Sequence, residues 1–422
     1  MISIARSIAQ SPFLRQNAIF FIGSTVVSFL NYLYYPVLGR LLSPADFGEV
    51  QAIISFFLQT GVLLSVLSLV TINVVKRYPQ PTDQAPLLAE IERIALWIGL
   101  IFCVAMAIAS TWLQGLLNFT SPWPFLLLAF SVLLGVPGAF AGAYIQAHQR
   151  FTQLSTANIL GAGSKLMFSA AFVLVGLRAV GAVMGVVASQ ILSLIYSTVV
   201  ARRLGRQNSF RQYLVLRRPD VSLIRPELRY AGLVLLTSLA VNTILSLDIL
   251  FAKHYFEPVE AGLYAGIATV ARIIFFLTGP LTGVLVASVI PLGPAAANRA
   301  LLQRSVFLLM LLGGGALGLF VLWPGWVTSL LVGPRYIEVA HLLPTLSLAI
   351  FILSLANLLL LYQVALRRIW AAPAAVVGLV VIMGWLLRHH QSISDIVNGL
   401  LAGSIVLLIS TLITGWWGKR VL

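Results

Sequence analysis

The chain has 422 residues, of which 59% are hydrophobic and 9% charged, with a formal net charge of +15. Soluble proteins carry about 25% charged residues, so a surface this poor in ionic groups must largely face lipid, and an array of soluble domains is excluded. The single cysteine, Cys103, excludes internal disulfides and any cysteine-cluster metal site, and no motif requires a cofactor.

The segment Met1–Gln16 is basic, but the apolar stretch after Asn17 is too long for a signal-peptide core and lacks a small-residue exit. It reads as a retained first span. A bilayer-spanning helix needs about 20 apolar residues. Twelve such spans are predicted, at 17–40, 48–75, 92–117, 122–146, 153–177, 179–201, 229–252, 259–290, 302–323, 338–366, 369–388 and 393–417. Ser43-Pro44-Ala45-Asp46 opens the second with a serine cap, proline at the first helical position and an acid at the third. Ser121-Pro122 opens the fourth in the same way. The one sizeable polar segment, Arg202–Arg229, separates spans six and seven. The predicted organisation is a six-helix bundle over 1–203, a basic cytoplasmic linker over 204–227 and a second six-helix bundle over 228–422.

Lysine and arginine placement sets orientation. With the N-terminus in the cytoplasm, 20 of the 27 basic residues fall in cytoplasmic segments. Five (Arg40, Arg178, Lys253, Arg335 and Arg388) are external, and Lys165 and Arg272 remain inside spans. This predicts a multi-pass protein of the cytoplasmic (inner) membrane with both termini cytoplasmic. The positive charge is then a topological signal rather than a nucleic-acid-binding face. The Arg202–Arg229 stretch is expected to contact anionic membrane lipids, at about 1 kcal/mol per basic group near the surface. A monomer is expected.

Pro44-Ala45-Asp46-Phe47-Gly48 recurs as Pro258-Val259-Glu260-Ala261-Gly262, 214 positions later and close to half the chain length. Each copy joins the first and second spans of a six-span half. Six is even, so both halves enter from the same side. The prediction is an all-α polytopic membrane protein with two six-helix bundles related by a parallel pseudo-two-fold repeat.

The segment Leu38-Gly39-Arg40-Leu41-Leu42-Ser43-Pro44-Ala45-Asp46-Phe47-Gly48 resembles the opening of polysaccharide-unit flippases of the multidrug/oligosaccharidyl-lipid/polysaccharide exporter superfamily. Ala143-Tyr144-Ile145-Gln146-Ala147-His148-Gln149-Arg150-Phe151 resembles that family's junction of spans four and five. Asp248 followed by Gly262-Leu263-Tyr264, and Val332-Gly333-Pro334-Arg335-Tyr336, are similar to its later segments. The resemblance covers nearly the whole chain. It implies a V-shaped pair of bundles, alternating access and a lipid-diphosphate-linked oligosaccharide as substrate.

Lys165, Asp248 and Arg272 lie within predicted spans. A charge facing lipid at the bilayer centre costs about 2.5–3.5 kcal/mol on insertion scales, so these groups should face protein or a watery cavity. At a rise of about 1.5 Å per residue, Lys165 and Arg272 lie ~18 Å deep and Asp248 ~8 Å. A direct Asp248–Arg272 bridge therefore requires side-chain reach and tilt to close the gap. On the functional reading, Lys165 and Arg272 face a central cavity and hold an anionic headgroup, to which arginine's planar fork is well suited. Asp248 is then a proton or sodium coupling site, or the counter-charge that holds Arg272. On the structural reading, both cations are locked to neighbouring carbonyls and acids. Arg40, at the external end of span one, is a boundary anchor or a further headgroup ligand. Asn31 and Tyr34 share a face of span one, and Tyr34 matches Asp248 by the 214-residue offset. With Asn242 they form a candidate sugar-lining stripe, or simply hydrogen-bond between helices.

Other patterns carry less. Gly161-Ala162-Gly163-Ser164-Lys165 lacks phosphate-loop spacing, and His389-His390 has no companion metal ligands. Gly262/Gly266, Gly279/Gly283 and Gly314/Gly318 permit close helix contact. Pro137, Pro280, Pro291 and Pro344 can kink or end helices. The leading function is flipping of lipid-linked oligosaccharide units for cell-surface polysaccharide assembly. A multidrug or toxin antiporter of the same fold would want buried acids for cationic drugs. A glycan polymerase or ligase would want an external acid–base pocket, whereas Asp46, Glu257, Glu260, Glu338 and Asp395 are scattered. An enzyme is therefore not expected.

Overall fold

The computed structural model describes residues 12–78, 80–206, 225–290 and 293–417. Most of the predicted basic linker, both chain ends and Pro291 lie outside the described residues. Within them the chain is helical: α1 (Pro12–Leu41), α2 (Pro44–Arg77), α3 (Pro81–Leu116), α4 (Trp123–Ala147), α5 (Phe151–Phe172), α6 (Arg178–Arg203) and α7 (Arg225–Tyr255). They continue as α8 (Pro258–Ala271), α9 (Ile273–Ser288), α10 (Ala295–Leu322), α11 (Pro324–Leu331), α12 (Leu343–Ala365), α13 (Ala371–Arg388) and α14 (Ile393–Trp417). A π-helical turn, Val173–Leu177, joins α5 to α6, and a 3-10 segment, Pro334–Leu342, precedes α12.

Among the described residues, ten helical segments are long and apolar enough to cross a membrane. One of them, Phe151–Arg203, is 53 residues long and contains both α5 and α6. The reversal between them comes from Gly176 (φ 98°) and Arg178 (φ 45°), the first in a backbone region open to glycine without steric cost. Ile101, Ile108, Leu174, Val175 and Val380 are more than 60% exposed, as expected of side chains whose solvent is acyl chain rather than water.

Local chemistry explains the helix starts. Ser43 Oγ accepts from the Asp46 N–H (3.1 Å) and donates to Asp46 Oδ2 (2.7 Å), so the predicted cap forms at α2. At the repeat, Glu257 is the N-cap of α8 without a side-chain cap bond. At α4 the N-cap is Pro122 rather than Ser121, and the serine hydroxyl accepts from the Trp123 N–H instead. Three predicted spans are not single α-helices, span five because it ends in the π-helical turn. Span eight breaks at Arg272 into α8 and α9, and span ten begins as the 3-10 turn. Pro137 and Pro280 lie inside α4 and α9, and Pro344 in the first turn of α12.

The chain packs as two compact units. One comprises 1–41, 63–115 and 119–227; the other comprises 42–62, 116–118 and 228–422. The first half of α2 and the tip after α3 thus pack with the second unit, whereas the sequence division assigns them to the first bundle. In the first unit, Val70, Val74, Leu88, Tyr144, Ile145, Leu154 and Val200 form a core cluster at one end of α2, α3, α4, α5 and α6. In the second, Leu285, Val289, Leu309, Leu358 and Ala365 join α9, α10 and α12.

Candidate functional site

In the first unit, α1 packs along α5 and brings Asn31 and Tyr34 to Lys165. The ammonium donates to Asn31 Oδ1 (2.5 Å) and stands 4.6 Å from the centre of the Tyr34 ring. Both partners are neutral. An amide oxygen and an aromatic face hold a cation without cancelling its charge. Among the described residues no carboxylate lies within ion-pair distance of Lys165. The lysine sits 14 residues into α5, or ~21 Å along its axis.

In the second unit, Arg272 and Asp248 are ion-paired. Arg272 Nη2 donates to Asp248 Oδ1 (2.6 Å), and Nε donates to the Leu245 carbonyl (2.9 Å). The Tyr264 hydroxyl donates to Asp248 Oδ2 (2.7 Å). Asp248 is 0% and Arg272 5% exposed. The depth gap is closed by side-chain direction. Helical side chains tilt toward their own N-terminus, and α7 and α8 are consecutive and run in opposite senses. The Asp248 side chain therefore leans inward along α7 while Arg272 leans outward along α8, and the two converge. The arginine lies at the helix break, as the C-cap of α8 and the N-cap of α9, and its Nη1 has no hydrogen-bond partner among the described residues.

The remaining predicted residues are not brought into either cluster. Arg40 is exposed in the last turn of α1. Asn242 donates to the Ser238 carbonyl of its own helix (2.8 Å). Its neighbours on α7 form a polar contact with α2, in which Gln59 Nε2 donates to Ser246 Oγ (3.0 Å) and Oε1 accepts from Thr243 Oγ1 (3.2 Å).

Three groups counted as loop charges, Arg93, Lys253 and Arg206, are buried instead, Arg93 paired with Glu90. Lys253 is 0% exposed and donates to the Asn118 carbonyl (3.1 Å), within electrostatic reach of Glu49 and Asp46. Arg206 is 7% exposed, bridges to Glu92 (2.7 Å) and lies over the Phe140 ring (6.0 Å). Sequence reasoning passed over Tyr264, Gln59, Lys253 and Glu92. The signal for Tyr264 was its spacing of eight residues, about two turns, from Arg272. The partners of Lys253 and Glu92 come from contacts distant in sequence and had no local signal.

Several motifs that carry the family resemblance meet at one packing node in the second unit. A methyl added at Gly262 would fall 1.8 Å from the Pro44 carbonyl oxygen, and one at Gly266 2.2 Å from the Tyr336 ring. Phe47 meets Tyr336 edge-on at 6.0 Å. Gly333, at φ 114°, turns the chain into the segment bearing Tyr336. These motifs reflect close helix approach rather than substrate chemistry.

A family model described as polysaccharide biosynthesis protein matches residues 14–292. No curated protein matches the chain. Among solved structures, the chain is similar to the lipid II flippase MurJ in an inward closed conformation (12% identity, 96% of this chain and 87% of that one, TM-score 0.67). It is also similar to a MATE protein in complex with MaL6 (13% identity, 96% and 95%, TM-score 0.63). A third is a MOP superfamily transporter from Pyrococcus furiosus, described by the reverse polarity of its binding pocket (14% identity, 96% and 94%, TM-score 0.63). The match over residues 14–292, about two thirds of the sequence, establishes that this multi-pass membrane protein belongs to the polysaccharide biosynthesis protein family.

Proposed function

We propose that the protein moves lipid-diphosphate-linked oligosaccharide units across the cytoplasmic membrane by alternating access, for cell-surface polysaccharide assembly. The observation that carries this reading is the charge balance of the buried groups. Glu49, Glu92 and Asp248 are each buried and each has a basic neighbour: Lys253, Arg206 and Arg272. Lys165 alone among these cations has only neutral partners. A carrier of cationic drugs needs an uncompensated acid, and a carrier of phosphates needs an uncompensated cation. The balance favours the second.

In this reading Lys165, oriented by Asn31 and Tyr34, holds a phosphate of the headgroup. Arg272 is a reserve cation, masked by Asp248 and released when Asp248 takes up a proton. That couples the cycle to a proton gradient; a sodium ion on Asp248 would act in the same sense. Lys165→Gln should lower translocation of a lipid-diphosphate-linked oligosaccharide in proteoliposomes at least tenfold at unchanged protein abundance, and Lys165→Arg should restore a measurable part. Full translocation by Lys165→Gln, or a change in export of a cationic dye instead, would overturn the proposal in favour of the antiporter.

A further inference from the structure

At the ends of α10, α12 and α14 the second unit has a cavity of about 470 Å³ that opens to the surface, separate from Lys165 and from the Asp248–Arg272 pair. Its walls are of two kinds. Leu302, Leu359 and Leu412 present apolar surface, while Arg299 and Arg368 supply two guanidinium groups. No acid lines it, and neither arginine has a carboxylate within ion-pair distance among the described residues. Both guanidinium groups lie within electrostatic range of the Tyr362 hydroxyl, which also lines the cavity.

The backbone holds Arg368 in place. α12 ends with Leu366 as C-cap. The Arg367 N–H bonds to the Val364 carbonyl (2.8 Å) and the Arg368 N–H to the Gln363 carbonyl (3.0 Å), the paired bonds of a Schellman turn. Arg367 occupies the left-handed position (φ 56°) that usually falls to glycine. Arg368 then donates Nη1 to the Gly415 carbonyl at the end of α14 (3.1 Å), leaving its other N–H groups for a ligand. Arg299, in the first turns of α10, is exposed. The helix ends gathered here are those that the lysine and arginine count assigns to the cytoplasmic side. Trp416, 54% exposed at the rim, is the residue type that marks a membrane–water boundary.

We infer that this cavity is a binding site for the phosphate of a membrane lipid, with the two arginines on the phosphate oxygens and an acyl chain along the leucines. Paired guanidinium groups match phosphate geometry, and the leucine wall excludes a ligand that is only polar. The site does not depend on the transport substrate proposed above.

The test is native mass spectrometry of the full-length protein in detergent with phosphatidylglycerol, diacylglycerol or inorganic phosphate. One tightly retained phosphatidylglycerol per chain is expected, with neither control retained. Arg299→Gln should weaken retention about fivefold, the effect of one basic group at a lipid phosphate. Adding Arg368→Gln should weaken it further. Arg304→Gln, an exposed arginine on the same helix outside the cavity, should leave it unchanged. Because Arg299 is exposed, its variant keeps the test informative even if the double variant does not fold. Equal loss with Arg304→Gln, equal retention of diacylglycerol, or binding of inorganic phosphate without the lipid would each overturn the assignment.

Discussion

Asp248 shows how one residue joins stability to transport. It accepts from both Tyr264 and Arg272 while fully buried, and removing one member of a buried ion pair strands the other charge. Asp248→Asn should therefore lower stability by about 3–5 kcal/mol, measured as the unfolding midpoint in detergent. Replacing the pair together, as Asp248→Leu with Arg272→Met, should recover most of that loss, because an apolar pair of similar volume needs no desolvation. If the double variant is as unstable as Asp248→Asn, the pair is held by something other than mutual charge. Residue identity made these three buried ionisable groups visible in the sequence. Asp248 as the counter-charge of Arg272 was one of the readings open in the sequence, and a depth estimate from backbone positions could not choose it because it ignores the opposed tilt of side chains on antiparallel neighbours. The neutral partners of Lys165 were individually named from the spacing of Asn31 and Tyr34, but only the packing of α1 on α5 brings them to the lysine.

At the scale of elements, hydropathy and capping located most helix ends within about five residues, because the length of an apolar run and a Ser-Pro-x-Asp start are local properties. The starts of α3 and α10, 11 and 7 residues before the predicted spans, and the short α11 were missed because their first turns are too polar or too short to read as spans. The break at Arg272 was not legible. It has no proline or glycine beside it and coincides with an arginine drawn to partners on α7. The glycine pairs also differ in ways that spacing hides. Gly262 lies against the Pro44 backbone, whereas methyls at Gly279, Gly283, Gly314 and Gly318 would meet no heavy atom within 4 Å. Gly262→Ala should thus cost about 1–3 kcal/mol through overpacking against backbone that cannot yield. Gly283→Ala should be neutral or gain up to about 1 kcal/mol from helix propensity. Thermal unfolding of the two variants side by side separates these outcomes, and equal midpoints would show that the node at Pro44 and Gly262 is slack.

On the scale of the whole molecule, the two halves repeat in backbone more than in chemistry. Gln149 and Arg367 hold the same left-handed position at the ends of spans four and ten (φ 56° in both), and each is followed by an arginine. Asn118 and Gly333, 215 positions apart, both have positive φ after spans three and nine. Yet the register position that carries the acid Asp248 in the second half carries the neutral Tyr34 in the first. Tyr34 sets a neutral ring beside Lys165, whereas Asp248 pairs with Arg272, a cation at a different repeat position. The repeat also fixes an expectation for topology, since turns in equivalent places of two parallel halves must lie on the same side of the membrane. Gln149, beside Arg150, belongs to the arginine-rich set; Gln391, before α14, belongs to the sparse one. Both are exposed. In a Cys103→Ser background, an impermeant maleimide should label Gln391→Cys in intact spheroplasts and Gln149→Cys only after permeabilisation. The Arg367→Cys variant should behave as Gln149→Cys does. Labelling of Gln149→Cys and Arg367→Cys on opposite sides would break the parallel repeat. Reversal of all three would put the arginine-rich face outside and the Arg299–Arg368 cavity in the outer leaflet.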